Sequence, residues 1–335
     1  MQQPYPWQQA TWQAMQQRIH AGRLPHALLL SGPAGLGKLD FARLLARSLL
    51  CEQTADGLPC GTCRGCQLLD AGSHPDFQAV QPEEEGKEIT IGQIRDLLTW
   101  QTLTPQYGRA RVVIIEPADR MNANAANALL KTLEEPGRDA VLLLVSARPA
   151  VLLPTIRSRC QRLLFAAQRG TEARAWLAER LGDAVRAELA LAISGGAPLR
   201  ALALVETGGM ERREQLFAAF EAMLNGTQEP VALAAQWLPL PIQETLATLH
   251  GWCVDMARLK AGAADGWLDN PDLRQRLQAL CEQVDLARLL HRQGQLQEAM
   301  RLARGHPNAQ LLLEETLLGW SSTGGTTARR APSTR

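Results

Sequence analysis

Ser31-Gly32-Pro33-Ala34-Gly35-Leu36-Gly37-Lys38-Leu39 lies between an apolar run, Ala27-Leu28-Leu29-Leu30, and an amphipathic stretch from Phe41 to Leu50. Strand, glycine-rich turn and helix in that order make G-x-x-x-x-G-K a phosphate-binding loop. Its glycines let backbone N–H groups face inward around anionic oxygens, and the helix that follows turns its positive end toward them. Lys38 is placed to reach terminal phosphates. The next position ordinarily carries Ser or Thr, whose hydroxyl holds magnesium. Here it is Leu39, which has no oxygen to offer. The nucleotide fold is therefore expected and its usual chemistry is in question.

A chain of 335 residues that is 46% hydrophobic can build two or three domains with real cores. A net charge of +1 provides no global field to recruit nucleic acid, so any such contact needs a local patch or a partner. No stretch is long and apolar enough to span a membrane. Met1-Gln2-Gln3-Pro4-Tyr5 has neither the charged nor the apolar region of a signal peptide, so the cytoplasm is the expected location. Seven cysteines, four of them closely spaced, suit metal binding in a reducing compartment better than disulfides.

Those four form the pattern C-x8-C-x2-C-x2-C, at Cys51, Cys60, Cys63 and Cys66. Four thiolates so close in sequence can close a tetrahedral site, the geometry zinc favours, and a closed site is structural rather than catalytic. An iron–sulfur cluster is the rival, but the usual fourth cysteine followed by proline is missing, since Gln67 follows Cys66.

The rest of the first half alternates. Trp7 to His20 has helical spacing, and His26 reads as a packed or capping histidine. Phe77–Val80 is a short strand, and an acidic loop, Glu83-Glu84-Glu85, follows it. Thr90-Ile91-Gly92-Gln93 opens a helix through Leu103 with a capping box, and 105–108 is a turn. Arg111-Val112-Val113-Ile114-Ile115-Glu116 is a buried parallel strand. In phosphate-loop enzymes an acid at this point orders the magnesium shell, and the residue after it polarises water. Glu116 can still supply a carboxylate, but Pro117 has no base. A helix from Asn122 to Glu135, stopped by Pro136-Gly137, precedes strands at Ala140–Val145 and Arg162–Phe165. Alternation to about residue 166 implies a parallel sheet wrapped by helices.

Strand signals end there. Helices are expected at Thr171–Leu181, Asp183–Ile193 and Pro198–Glu206, then at Pro241–Lys260 and on to Trp320. In Pro241–Lys260 the stripe Ile242, Leu246, Leu249, Cys253 and Met256 reads as core or as a contact with another subunit. Ser321 to Arg335 is expected to be disordered. No internal repeat is visible.

The phosphate loop, the four-cysteine module, Asn127-Ala128-Leu129-Leu130-Lys131-Thr132-Leu133-Glu134-Glu135-Pro136 and Ser158-Arg159-Cys160 occur in this order. Together they closely resemble the bacterial clamp-loader AAA+ proteins, by specific motifs over residues 20–205 and by helical pattern beyond. The resemblance implies a RecA-like α/β AAA+ core over 1–166 that carries a zinc module at 51–66. It implies a three-helix lid over 167–208 and an all-α collar over 209–320, followed by the disordered tail. The implied assembly is a hetero-pentamer with delta and tau/gamma subunits. That assembly loads the sliding clamp onto primer–template DNA in replication, opening on ATP binding and releasing on hydrolysis.

The same resemblance makes Arg159 an arginine finger that enters a neighbour's nucleotide site. A guanidinium is always charged and offers a bidentate fork to phosphate, and in phosphoryl transfer such a finger is worth roughly 10³–10⁵ in rate. Arg200 matches the lid sensor arginine, whereas Ala147 stands where a polar sensor is expected. The degenerate nucleotide set is then Gly32, Gly35, Gly37, Lys38, Glu116 and Arg200. It is expected to hold ATP or ADP weakly, without magnesium and without activation of water. The leading reading is a non-hydrolysing stator subunit. The alternatives are a competent tau/gamma-like ATPase, and a zinc-dependent nucleic-acid-binding protein with a relic phosphate loop; the near-neutral charge speaks against the latter.

Overall fold

In the computed structural model the described residues are 3–84, 86–101, 104–107, 110–135, 137, 140–264, 267–305 and 307–321. Glu85, Leu103, Gly108, Pro136 and, apart from Ser321, the expected disordered tail lie outside them. The chain divides into two compact units, Met1–Gly182 with Gly196–Arg200, and Asp183–Gly195 with Ala201–Arg335.

The first unit begins with α1 (Gln9–His20), β1 (Ala27–Ser31), α2 (Lys38–Leu50) and α3 (Arg64–Asp70). It continues with β2 (Phe77–Val80), α4 (Ile91–Gln101), β3 (Arg111–Ile115), α5 (Ala123–Glu134) and β4 (Ala140–Ser146). It closes with α6 (Pro154–Arg159), β5 (Gln161–Leu164) and α7 (Thr171–Leu181). The strands form one parallel sheet in the order β2-β3-β4-β1-β5. Its three central strands, β1, β3 and β4, are buried at every position. Side chains alternate across them. Leu28, Leu30, Val112, Ile114, Leu143 and Val145 pack with Trp12 and Phe41 on one face. Ala27, Leu29, Val113, Ile115, Leu142 and Leu144 pack on the other with α4, α5 and α6, through Leu97, Leu129 and Ile156. Helices on both faces are what a buried parallel sheet requires.

Local chemistry sets the helix ends. Thr90 and Gln93 form the expected capping box: the Thr90 N–H donates to Gln93 Oε1 at 2.9 Å, and the Gln93 N–H donates to Thr90 Oγ1 at 3.5 Å. Asn122 caps α5 by accepting from the Ala125 N–H at 2.9 Å. The ring Nε2 of His26 lies 3.2 Å from the Leu133 carbonyl oxygen, a capping role at the far end of α5.

In the second unit α8 (Ala184–Ile193) starts on an Asp183 cap, and α9 (Pro198–Glu206) begins in the first unit and ends in the second. Then follow α10 (Gly209–Leu224), α11 (Pro230–Trp237), α12 (Ile242–Lys260), α13 (Arg274–Cys281), α14 (Leu286–Leu302) and α15 (Ala309–Ser321). Their core centres on Phe217, Phe220, Trp252 and Trp320. Leu246, Leu249, Cys253 and Met256 of α12 are buried in it, so that stripe is core. Buried Asp255 accepts from the backbone N–H groups of Asp269 and Asn270 and pairs with Arg258. No single helix among the described residues is long and apolar enough to cross a membrane.

Candidate functional site: a phosphate loop, a four-cysteine module and an arginine corner

The phosphate loop leaves the carboxyl end of β1, where open parallel sheets bind ligands. Gly35 has φ +79°, and a Cβ there would lie 2.7 Å from Arg200 Cβ and 2.9 Å from Arg200 N. Gly37 has φ +75°, and a Cβ there would lie 2.6 Å from the Tyr5 ring. Both positions require glycine for conformation and for room. The Leu199 N–H donates to the Gly35 carbonyl at 3.1 Å, which seats the start of α9 against the loop and places exposed Arg200 at its edge.

An N-terminal arm grips the other side. Gln8 Nε2 donates to the carbonyls of Leu36 and Gly37, both at 2.9 Å, and Trp7 Nε1 donates to Leu36 at 3.2 Å. Tyr5 stacks on Trp7 with centroids 4.9 Å apart, and both meet the edge of Trp176 on α7.

Lys38 is buried, and its Nζ donates to the Pro33 carbonyl oxygen at 2.6 Å. Burial pushes its pKa down, against the pull of Asp119 and Glu116. Glu116 follows β3 directly, and burial raises its pKa, opposed by Arg43 and Lys38 and reinforced by Asp119. Leu39 packs against the core with no polar atom to offer a cation. The structure thus gathers Gly32, Gly35, Gly37, Lys38, Glu116 and Arg200 around the carboxyl end of β1 and β3.

Asp119 carries no motif that marks it in the sequence. It lies one short turn beyond Pro117, with its side chain 3% exposed. Its Oδ1 accepts from Ser146 Oγ at 2.7 Å and the Ala147 N–H at 3.1 Å, and its Oδ2 accepts from Arg148 Nε at 2.9 Å. Burial pushes its pKa up, but the Ser146 hydroxyl, the Arg148 guanidinium and the Ala147 amide together hold it below the usual carboxylate value. The one local hint is an acid three residues past a strand that already ends in one.

The four cysteine sulfurs lie within 4.8 Å of one another, placed to bind a metal ion. Cys51 Sγ is 3.6 Å from Cys60 Sγ and 3.8 Å from Cys63 Sγ. Backbone N–H groups point at the sulfurs: Thr62 and Cys63 at Cys60, Cys60 at Cys51, and Cys66 at Cys63. Those from Thr62 and Cys63 bring the Cys60 thiol down to about 6. Burial pushes Cys66 up to about 12 and also raises Cys51. Such a set deprotonates fully only around a cation. The module is tied to α2 through the Ser48 hydroxyl, which donates to the Gly57 carbonyl at 2.6 Å.

Arg159 stands apart from the loop. It is the last residue of α6, a helix that the sequence pattern does not announce, started by Pro154. Ile156 and Cys160, four apart, are buried beneath the sheet, which leaves Ser158 exposed and the Arg159 side chain 35% exposed. Its partners are the Thr155 carbonyl and the Glu134 carboxylate, a pairing that no local pattern in the sequence marks.

A phosphate loop at the switch of a 2-3-4-1-5 parallel sheet, a four-cysteine module after the loop's helix and a part-exposed arginine corner define a clamp-loader AAA+ protein. The family model described as "DNA polymerase III, delta subunit" matches residues 7–169, and the one described as "DNA polymerase III, delta subunit, C terminal" matches residues 208–322. DNA polymerase III subunit delta′ of Pseudomonas aeruginosa is 40% identical over 326 residues, covering 96% of this chain and 98% of its own. The chain belongs to the delta′ family of DNA polymerase III clamp-loader subunits. The Escherichia coli subunit delta′ is 35% identical over 260 residues, covering 74% of this chain and 77% of its own. Among solved structures, a gamma-subunit-related protein of Thermotoga maritima covers 93% of this chain and 99% of its own at 19% identity and a TM-score of 0.43.

Proposed function

We propose that this chain is the stator of its clamp loader: it hydrolyses no ATP itself and lends Arg159 to the nucleotide site of an adjoining ATPase subunit. The observation that carries this reading is the contrast between two sites. The chain's own loop has Leu39 in place of the magnesium hydroxyl and Pro117 in place of the base, and the Lys38 ammonium is engaged by Pro33. Arg159, by contrast, keeps a third of its side chain in solvent at the outer corner of α6. A guanidinium in that position can meet the phosphates of a second molecule.

The partners proposed are delta and tau/gamma subunits in a hetero-pentamer acting on the sliding clamp and primed DNA in the cytoplasm. In support, the tau subunit of Escherichia coli is 37% identical over 147 residues, 44% of this chain. The division proposed is core, lid, collar and tail as read from the sequence. Nucleotide binding at the degenerate loop is proposed to be weak. The metal proposed is zinc: a tetrahedral site with Zn–S bonds of about 2.3 Å requires sulfurs about 3.8 Å apart; Cys51 lies 3.6 Å from Cys60 and 3.8 Å from Cys63, and all four sulfurs are within 4.8 Å of one another. With all four positions filled by protein its role would be structural.

The test is a reconstituted loader with Arg159→Ala in this chain. Assembly is expected to be unchanged, and single-turnover hydrolysis at the site served by Arg159 is expected to fall by roughly 10³-fold or more. Unchanged hydrolysis would refute the finger.

A further inference from the structure

We propose that Glu134 is the positioning residue for the Arg159 guanidinium; this rests on the reading of Arg159 as a finger given above. Two elements converge on that side chain. On its own helix, Arg159 folds back so that Nη1 donates to the Thr155 carbonyl at 3.2 Å. From α5, the Glu134 carboxylate Oε1 accepts from Nη2 in a direct ion pair.

The carboxylate is held on a firm base. Glu134 is the last residue of α5, and Leu133 beside it is buried in the core. The Leu133 carbonyl meets the His26 ring, and the Glu135 N–H donates to the Lys131 carbonyl at 2.9 Å. Arg159 is likewise fixed at its root, because Ile156 and Cys160 anchor α6.

A guanidinium has five N–H donors. Glu134 and Thr155 engage one on each terminal nitrogen, so the fork is oriented while donors remain for a phosphate. A pre-oriented fork loses less side-chain freedom when it meets the transferring phosphoryl group. The Glu134 side chain is 51% exposed, so the pair contributes little to folding. Its negative charge also repels an incoming nucleotide slightly. Positioning should therefore act on kcat, with KM unchanged or slightly raised by Glu134.

The experiment uses the full reconstituted loader and its DNA-stimulated ATPase, with four versions of this chain: Glu134→Ala, Glu134→Gln, Arg159→Ala and the double Glu134→Ala/Arg159→Ala. Glu134→Ala is expected to lower kcat at the site Arg159 serves roughly three- to ten-fold without raising KM. Glu134→Gln keeps an acceptor oxygen and is expected to recover part of the loss. In the Arg159→Ala background, removing Glu134 is expected to do nothing further. Full kcat in Glu134→Ala, or the same fractional loss with and without Arg159, would overturn the positioning role. If Arg159→Ala alone changes nothing, the finger fails and the role of Glu134 with it. If Arg159→Ala slows hydrolysis while Glu134→Ala does not, only the positioning role fails.

Discussion

Replacing Asp119 tests whether the carboxyl edge of the sheet is held by a charge or only by hydrogen bonds. The two neutral donors, Ser146 Oγ and the Ala147 N–H, converge on Oδ1, while the Arg148 guanidinium takes Oδ2. Asp119→Ala leaves both neutral donors without an acceptor at about 1 kcal/mol each. It also removes a charge-assisted bond to a guanidinium whose side chain is 33% exposed. That exposure keeps this part at the low end of its range, about 1.5 kcal/mol. The expected loss is about 3.5 kcal/mol. Asp119→Asn keeps an oxygen for Ser146 and Ala147 and turns an amide toward Arg148, so it should lose only the charged part, about 1.5 kcal/mol.

The assay is hydrogen exchange of the Ala140–Ser146 strand in increasing urea. It reports the unit holding the site even where the two units unfold separately. The pH dependence has a definite sign. Asp119 titrates below its ordinary value of about 3.9 in the folded chain. Its charge therefore contributes fully above pH ~4, and the contribution is lost as pH falls through the lower folded value. The gap between wild type and Asp119→Asn should close in that acid range. Equal losses for Ala and Asn, or an Ala variant within about 0.5 kcal/mol of wild type, would refute the reasoning.

Cys63→Ser should reduce bound metal below one equivalent per chain by elemental analysis and lower the melting temperature of the first unit; a variant that keeps both would count against the module. Gly35→Ala should destabilise by about 1–3 kcal/mol, because φ is +79° and Arg200 backbone lies 2.9 Å from the new Cβ; a denaturation midpoint equal to wild type would contradict this. Leu39→Thr should not create ATP turnover in the isolated chain, since Pro117 still offers no base; phosphate release above a Lys38→Ala control would show otherwise.

The central strands were legible because a strand buried on both faces reads as an unbroken apolar run, as in Ala27–Leu30 and Val112–Ile115. The edge strand β5 is less legible: the expected Arg162–Phe165 is observed as Gln161–Leu164, with only Leu163 of those four buried, while Phe165 just beyond is buried and its N–H still donates to the Ser31 carbonyl at 2.8 Å. Helix α6 was missed since six residues give too little length for a periodic pattern. The cysteine module was legible because ligand spacing is a local property. Asp119 with Ser146, and Glu134 with Arg159, join residues 27 and 25 positions apart. Such pairs depend on how helices and strands dock, which no local window of sequence records.

The phosphate loop has reasons to keep its glycines that owe nothing to nucleotide. Gly35 is closed in by the start of α9 and Gly37 by Tyr5, so a side chain at either would collide with this chain's own atoms. The loop's carbonyls are likewise engaged from within, by Gln8, Trp7 and the Leu199 N–H. A phosphate would use the opposite, amide side of the loop, so this grip leaves that side available. Lys38 is engaged as well, one of its three N–H donors being spent on the Pro33 carbonyl. It follows that G-x-x-x-x-G-K is held here by packing, and that the pattern by itself measures fold rather than turnover. The positions that bear on turnover are those that ordinarily carry an oxygen, here Leu39 and Pro117. Neither has a side-chain oxygen to hold magnesium or to draw a proton from water.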